Sequence, residues 1–298
     1  MTNEKKPEIN IHNYVVTFLD LLGQKERLAE FPKLIPNRGL TPELEKAIQN
    51  TYGATFALRE TIGSYFKGHE LHKVDPKLLE GLTDTQRGLF EKMASSKVHL
   101  QYMGDAIVLY SRLTNKHGEL NLRSILMMLG GCAVAMLIQF GKENPIRGAI
   151  EIGAAMDWEE FGIYGSAFYS AYSLESGAAK YPRVLIGDEL LRYLKLWEKE
   201  KGVDELTLVN KKVARLCFSV ICEDRDGRAI LDFLSPDLPS IFGHSEDDAQ
   251  FKALRKSVEK GFSFVSREYK RFVSERSSEL AFRYDLLREY YMSRMAER

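Results

Sequence analysis

The stretches Tyr14-Val15-Val16-Thr17-Phe18-Leu19-Asp20-Leu21-Leu22-Gly23 and Val98-His99-Leu100-Gln101-Tyr102-Met103-Gly104-Asp105-Ala106-Ile107-Val108-Leu109-Tyr110 decide how this chain reads. The first is a continuous apolar run, as suits a strand buried on both faces, and it ends in Asp-Leu-Leu-Gly. The second reads as a strand, a tight Gly-Asp turn and a second strand. Each delivers one aspartate, Asp20 or Asp105, at or near a strand end. If the two strands are neighbours, these aspartates face each other across one edge of a sheet. Carboxylates that converge in this way repel unless they share protons or a divalent cation. The pair therefore points to a metal site for phosphate chemistry. The plainer alternative is that each aspartate serves its own turn or caps a helix.

With 298 residues the chain has room for one large domain, or for a domain with a substantial extension. Lys plus Arg equals Asp plus Glu at 42 each, so no basic excess favours nucleic acid or an anionic membrane as partner. Residues 1–13 are mostly polar and charged and lack the apolar run of a secretory signal. Cys132, Cys217 and Cys222 all fall in apolar stretches without motif spacing. Reduced, buried thiols in a cytoplasmic protein are expected, not disulfides or zinc ligands. Residues 124–141 carry no charge and approach the length of a membrane span, but they include Ser124, Gly130, Gly131 and Gln139. A helix in the core or at a subunit interface of a soluble protein is the expectation.

Elsewhere the pattern turns helical from Gln24 to Phe31 and breaks at Pro32 and Pro36. Thr41-Pro42-Glu43-Leu44-Glu45 combines an N-cap, a first-turn proline and early acids, predicting a helix to about Phe66 with Gly68 just past its end. Asp75-Pro76 and Thr83-Asp84 open shorter helices. A long helix follows over about residues 120–142, then a strand from Arg147 to Gly153 and a loop to Gly165. A helix from about Ser166 to Lys180 and a strand from Arg183 to Ile186 come next. Apolar runs over residues 216–222 and 229–234 flank the hairpin signal Asp224-Arg225-Asp226-Gly227. From Ser245 the chain is helical and charged, a tail that packs on the domain or on a second subunit, with its charges on a solvated face. The hairpin signals demand antiparallel pairs, so an α+β sheet of ferredoxin-like character is expected over a doubly wound parallel one.

In order, Phe18-Leu19-Asp20-Leu21-Leu22-Gly23, Gly104-Asp105-Ala106-Ile107-Val108, Arg147-Gly148-Ala149-Ile150 and Gly165-Ser166-Ala167-Phe168-Tyr169-Ser170-Ala171-Tyr172-Ser173-Leu174-Glu175 resemble the catalytic domains of class III nucleotidyl cyclases. The resemblance covers approximately residues 14–186. It is nearest to the bacterial anti-phage pyrimidine cyclases of the Pycsar type, through Tyr164-Gly165-Ser166-Ala167, Ala171-Tyr172-Ser173-Leu174-Glu175 and Ala179-Lys180-Tyr181-Pro182-Arg183. It implies a ferredoxin-like cyclase domain over residues 1–235, with a helical insertion at about 32–96 and a helical extension over 236–298. It further implies that Asp20, Asp105 and the Leu21 carbonyl hold two Mn²⁺ or Mg²⁺ ions, which hard oxygen ligands suit better than zinc. The implied reaction converts UTP or CTP to its 3′,5′-cyclic nucleotide and pyrophosphate, with UTP favoured by the family's tendency. A head-to-tail homodimer and a separate effector that senses this antiviral messenger are implied with it, the helices at 124–141 and the C-terminus being candidates for interface packing.

Several positions depart from the purine cyclases that this family includes. The adenine-reading lysine falls on Gln101 and the base-reading aspartate on Gly162, while the asparagine and arginine that steady the transition state fall on Tyr169 and Ser173. A glutamine amide donates and accepts, so Gln101 suits uracil or cytosine, and is otherwise a solvated strand residue. Arg147, Lys180 and Arg183 are candidates to replace the missing arginine, and the amides of Leu22, Gly23 and Gln24 are candidates to face phosphate. Tyr169 and Tyr172, on a helix, read first as core aromatics, and Arg183 reads equally as a surface residue paired with a carboxylate. His69 and His72 are one helical turn apart but lack further ligands for a metal. A purine cyclase with an unfamiliar base-reading set, or an inactive nucleotide-binding module, remain the alternative functions.

Overall fold

The computed structural model describes residues 10–29, 39–69, 79–93, 97–114, 118–158, 161–241 and 249–296. Strand β1 (His12–Leu21) is buried on both faces, with Tyr14, Val16 and Phe18 in one layer and Val15 and Leu19 in the other. A turn with Gly23 at φ 81° leads into the short helix α1 (Gln24–Ala29). Helix α2 (Pro42–His69) begins as its sequence dictates, the Leu44 N–H donating to the Thr41 hydroxyl at 3.2 Å. It runs on through Gly68, which is thus part of the last turn and not a stop, since one helical glycine costs only about 1 kcal/mol. Helix α3 (Asp84–Met93) opens with a reciprocal capping box between Thr83 and Gln86, at 3.0 and 3.3 Å. Pro32, Pro36, the Asp75-Pro76 start, His72 and Ser245 lie outside the described residues.

Strands β2 (His99–Met103) and β3 (Ala106–Arg112) form the expected hairpin, with Gly104 at φ 64° in its turn. Helix α4 (Arg123–Gly141) follows, then strand β4 (Ile146–Trp158). That strand does not end at Gly153. It continues and folds back as β5 (Gly162–Gly165), because Gly162 takes φ 81° in the turn and the Trp158 and Tyr164 rings stack across the hairpin at 6.1 Å. Helix α5 (Ser166–Ala178) and strand β6 (Val184–Ile186) come next. Helices α6 (Asp188–Lys199) and α7 (Glu205–Phe218) fill a region for which the sequence reading offered no element. Because α7 absorbs Leu216 to Phe218, the hairpin of β7 (Ile221–Glu223) and β8 (Ala229–Leu231) is shorter than expected. Helix α8 (Leu238–Ile241) precedes α9 (Ala249–Ser274) and α10 (Ser278–Ala296), which are separated at Arg276, φ 57°.

The fold is α+β. Its 8-stranded mixed sheet has the order β2-β3-β1-β4-β6-β8-β7, with β5 on β4, and only the β4–β6 pair is parallel. One face packs on α2, α4 and α7, and α4 in turn on α9; α5 lies across the other face. Helix α4 is long and apolar enough to cross a membrane by length and composition, yet 78% of that window is buried within the protein. It packs mostly within the chain's own core. The C-terminal helices likewise pack on their own chain: Phe140 of α4 stacks on Phe233 and meets Tyr291 edge-on at 6.0 Å. All three cysteines are free, and burial raises the Cys132 thiol to about 12.

Candidate active site

The β1–β3 register runs from Tyr14 opposite Arg112 to Leu19 opposite Ile107, so Asp20 and Leu21 on one strand and Asp105 and Ala106 on the other emerge at the same end of the sheet. The even positions of β1 face α5, and Asp20 continues that face beyond Phe18. Burial raises the Asp20 carboxyl above its ordinary value, and the nearby Asp105 charge raises it further, opposed by Arg147 and by the Leu21 N–H. Two carboxylates and a strand-end carbonyl at the same end of the sheet are hard oxygen donors of the kind that suits Mg²⁺ or Mn²⁺. Among the described residues no group of three or more His, Cys, Asp or Glu side chains is arranged to hold a metal. The candidate set thus consists of the two aspartates and the Leu21 carbonyl, completed by substrate or solvent oxygens.

Arg147 is directly opposite Asp20 in the β1–β4 ladder. Its Nη2 lies 3.2 Å from Asp20 Oδ2 and its Nε 2.5 Å from Glu175 Oε1 on α5. Burial raises Glu175 too, and Arg147 opposes that shift. The sequence places Glu175 within a motif but gave it no role, and an ion pair across elements has no local signal. Arg59 is a second residue without such a signal. From α2 it stacks on Tyr102 at 4.3 Å and donates to the Gly104 carbonyl at 2.9 Å, gripping the turn that carries Asp105.

Gln101 and Gly162, separate in sequence, are in contact. The Gln101 carboxamide accepts from the Ile163 N–H at 3.3 Å and its Nε2 is 3.5 Å from the Phe161 carbonyl. A Cβ on Gly162 would fall 2.1 Å from Gln101 Oε1, so the glycine makes room for the glutamine. Gln101 is therefore half-buried and oriented by the β4–β5 turn, not simply solvated. Tyr169 and Tyr172 are not core aromatics: they are 68% and 46% exposed, with Tyr172 resting edge-on against Phe18. Exposed Phe161 and Tyr164 add to this aromatic surface.

Tyr169 and Ser173 line a cleft of about 1020 Å³ between α5, the start of α6 and the β7–β8 hairpin. Arg192, Lys195 and Arg228 line it as well, three cations the sequence reading did not single out. Neither Asp20, Asp105 nor Arg147 is among its lining residues. Buried Glu151 closes one wall by accepting the Leu190 N–H at the start of α6, at 2.9 Å. Arg183 is not at the surface; it is 4% exposed and ties Asp224 and Asp226 of the hairpin turn to the Ala178 carbonyl. Lys180 is exposed beside a smaller cavity shared with Arg183 and Arg225, away from Asp20. Of the amides proposed to face phosphate, that of Leu22 donates to the Pro145 carbonyl at 2.9 Å. Gly23 and Gln24 follow at the turn into α1, where the Gln24 side chain is buried. Comparison of this chain with models of known families, with characterised proteins and with solved structures finds no match in any of the three.

Proposed function

We propose that this chain is a class III-type pyrimidine nucleotide cyclase, forming a 3′,5′-cyclic nucleotide and pyrophosphate from UTP or CTP in the cytoplasm as an antiviral messenger for a separate effector. The observation that carries the reading is the emergence of Asp20 and Asp105 on neighbouring strands at one sheet edge, close enough for the Asp105 charge to oppose ionisation of Asp20. The β4-β1-β3-β2 run, antiparallel throughout, supports it as the strand arrangement of a split βαβ core.

Asp20, Asp105 and the Leu21 carbonyl would hold two Mn²⁺ or Mg²⁺ ions, which supply acidification of the ribose 3′-hydroxyl and neutralisation of the phosphates. Arg147 orients Asp20 and favours its ionised form against burial and the Asp105 charge. Gln101, its carboxamide fixed by backbone at Phe161 and Ile163, presents one remaining N–H and one lone pair to a pyrimidine edge. Tyr169 and Ser173, at the positions the resemblance assigns to steadying the transition state, line a cleft with Arg192, Lys195 and Arg228, which would supply cations there. Asp20 and Asp105 do not line the cleft of their own chain, which favours a homodimer whose copies each contribute one half of a site.

The test is incubation of the purified chain with each of ATP, GTP, CTP and UTP plus Mn²⁺, with products identified by mass spectrometry. A cyclic pyrimidine product that disappears in Asp20→Ala and Asp105→Ala is expected. A cyclic purine product would replace the base assignment, and no product from any of the four would leave an inert nucleotide-binding module.

A further inference from the structure

Asp20 lies within electrostatic reach of both Asp105 and Glu175, and the Asp20–Glu175 pair is bridged by a single guanidinium. With all three ionised the cluster carries two uncompensated negative charges, the amount that one divalent cation cancels. Arg147 is not held equally by its partners. Its contact with Asp20 is the longer, at 3.2 Å and at the outer end of the fork, while its Nε lies 2.5 Å from a Glu175 carboxylate that is only 3% exposed. Asp20 is the more accessible of the two acids, at 22%. The guanidinium thus bridges two acids, hydrogen-bonding the accessible candidate metal ligand Asp20 through Nη2 and lying in ion-pair contact with the buried Glu175 through Nε.

We infer that Arg147 is an internal counter-cation: it occupies the Asp20 carboxylate in the metal-free protein and withdraws onto Glu175 when a divalent cation takes Asp20. This rests on the metal-site reading above and adds to it a competition within the chain. Glu175 is the second berth that makes the exchange possible, because a withdrawn guanidinium would otherwise be a half-buried charge without a partner. Arg147 and Glu175 are positioning residues in this scheme, acting on the metal through Asp20.

The two side chains of one ion pair are then expected to have opposite effects on metal affinity. Mn²⁺ binding to the full chain without nucleotide is read from the electron paramagnetic resonance signal of free Mn²⁺. Arg147→Gln is expected to bind Mn²⁺ roughly five-fold more tightly, the factor that a partly exposed ion pair supplies. Glu175→Gln, which leaves Arg147 committed to Asp20, is expected to bind it several-fold more weakly. Should Arg147→Gln fail to fold, the isosteric Glu175→Gln carries the test alone: unchanged or tighter binding overturns the inference. Equal binding by the wild type and Arg147→Gln, lost in Asp20→Asn, would overturn the counter-cation role while leaving the metal site standing. No Mn²⁺ binding by any chain would overturn the metal site and this inference together.

Discussion

Burial beside Asp105 makes the Asp20 carboxylate reluctant to ionise, and Arg147 offsets this only in part. Glu175 is shifted in the same direction, again first by burial. A carboxyl whose folded-state pKa is raised contributes stability that is complete below its unfolded value and is lost as pH rises through the raised one. The metal-free protein should therefore lose stability from these two groups above the ordinary carboxylate range. A divalent cation on Asp20 favours the ionised form and reverses the trend there. Calorimetry is expected to show a larger stabilisation by Mn²⁺ at about pH 8 than at about pH 5, and equal shifts would argue against a carboxylate site. Gly162 is similarly committed, by its φ of 81° and by the Gln101 carboxamide against it. Gly162→Ala should cost about 1 kcal/mol or more and dislodge Gln101, visible as a reduced ratio of kcat/KM for pyrimidine over purine triphosphates.

The hairpin of β2 and β3 carries Asp105, and it is steadied from outside the sheet by Arg59 of α2. Arg59→Ala removes a carbonyl hydrogen bond and a cation–π contact, together worth about 1 kcal/mol. A several-fold loss of turnover with little change in melting temperature is expected, measured by steady-state kinetics beside calorimetry. How far the elements could be read beforehand follows from how local their signals are. The β1 run, the Gly104-Asp105 turn and the Thr41-Pro42 and Thr83-Asp84 helix starts are written in adjacent residues, and all form as read. The β4–β5 hairpin was missed because its stabilising ring stack joins Trp158 to Tyr164 across the turn, in a stretch that reads as a loop. Ion pairs and cleft walls join residues far apart in sequence. Arg147 with Glu175, and Arg192 with Tyr169, leave no trace until the chain is folded.

The C-terminal helices belong to the same apolar core as the sheet, through Phe140, Phe233, Phe264 and Tyr291. Gly261 is the contact point: a Cβ there would lie 2.5 Å from the Tyr291 hydroxyl and 3.1 Å from the Phe140 Cβ. Gly261→Val should overpack this seam and cost about 1–3 kcal/mol in chemical denaturation. On the other side of the molecule, Phe161 is 74% exposed and Tyr164 63%, on a hairpin adjoining Gln101. If two copies complete each site, Phe161→Ser and Tyr164→Ser together should shift sedimentation toward the monomer and lower activity with protein concentration. The central claim remains that Asp20 and Asp105 share divalent cations at one end of this sheet. The most direct measurement is anomalous scattering from crystals grown with Mn²⁺ and a non-cyclising UTP analogue. Manganese is expected between the Asp20 and Asp105 carboxylates, beside the Leu21 carbonyl and the α-phosphate. Manganese at another position, or an ordered nucleotide with none near these aspartates, would contradict it.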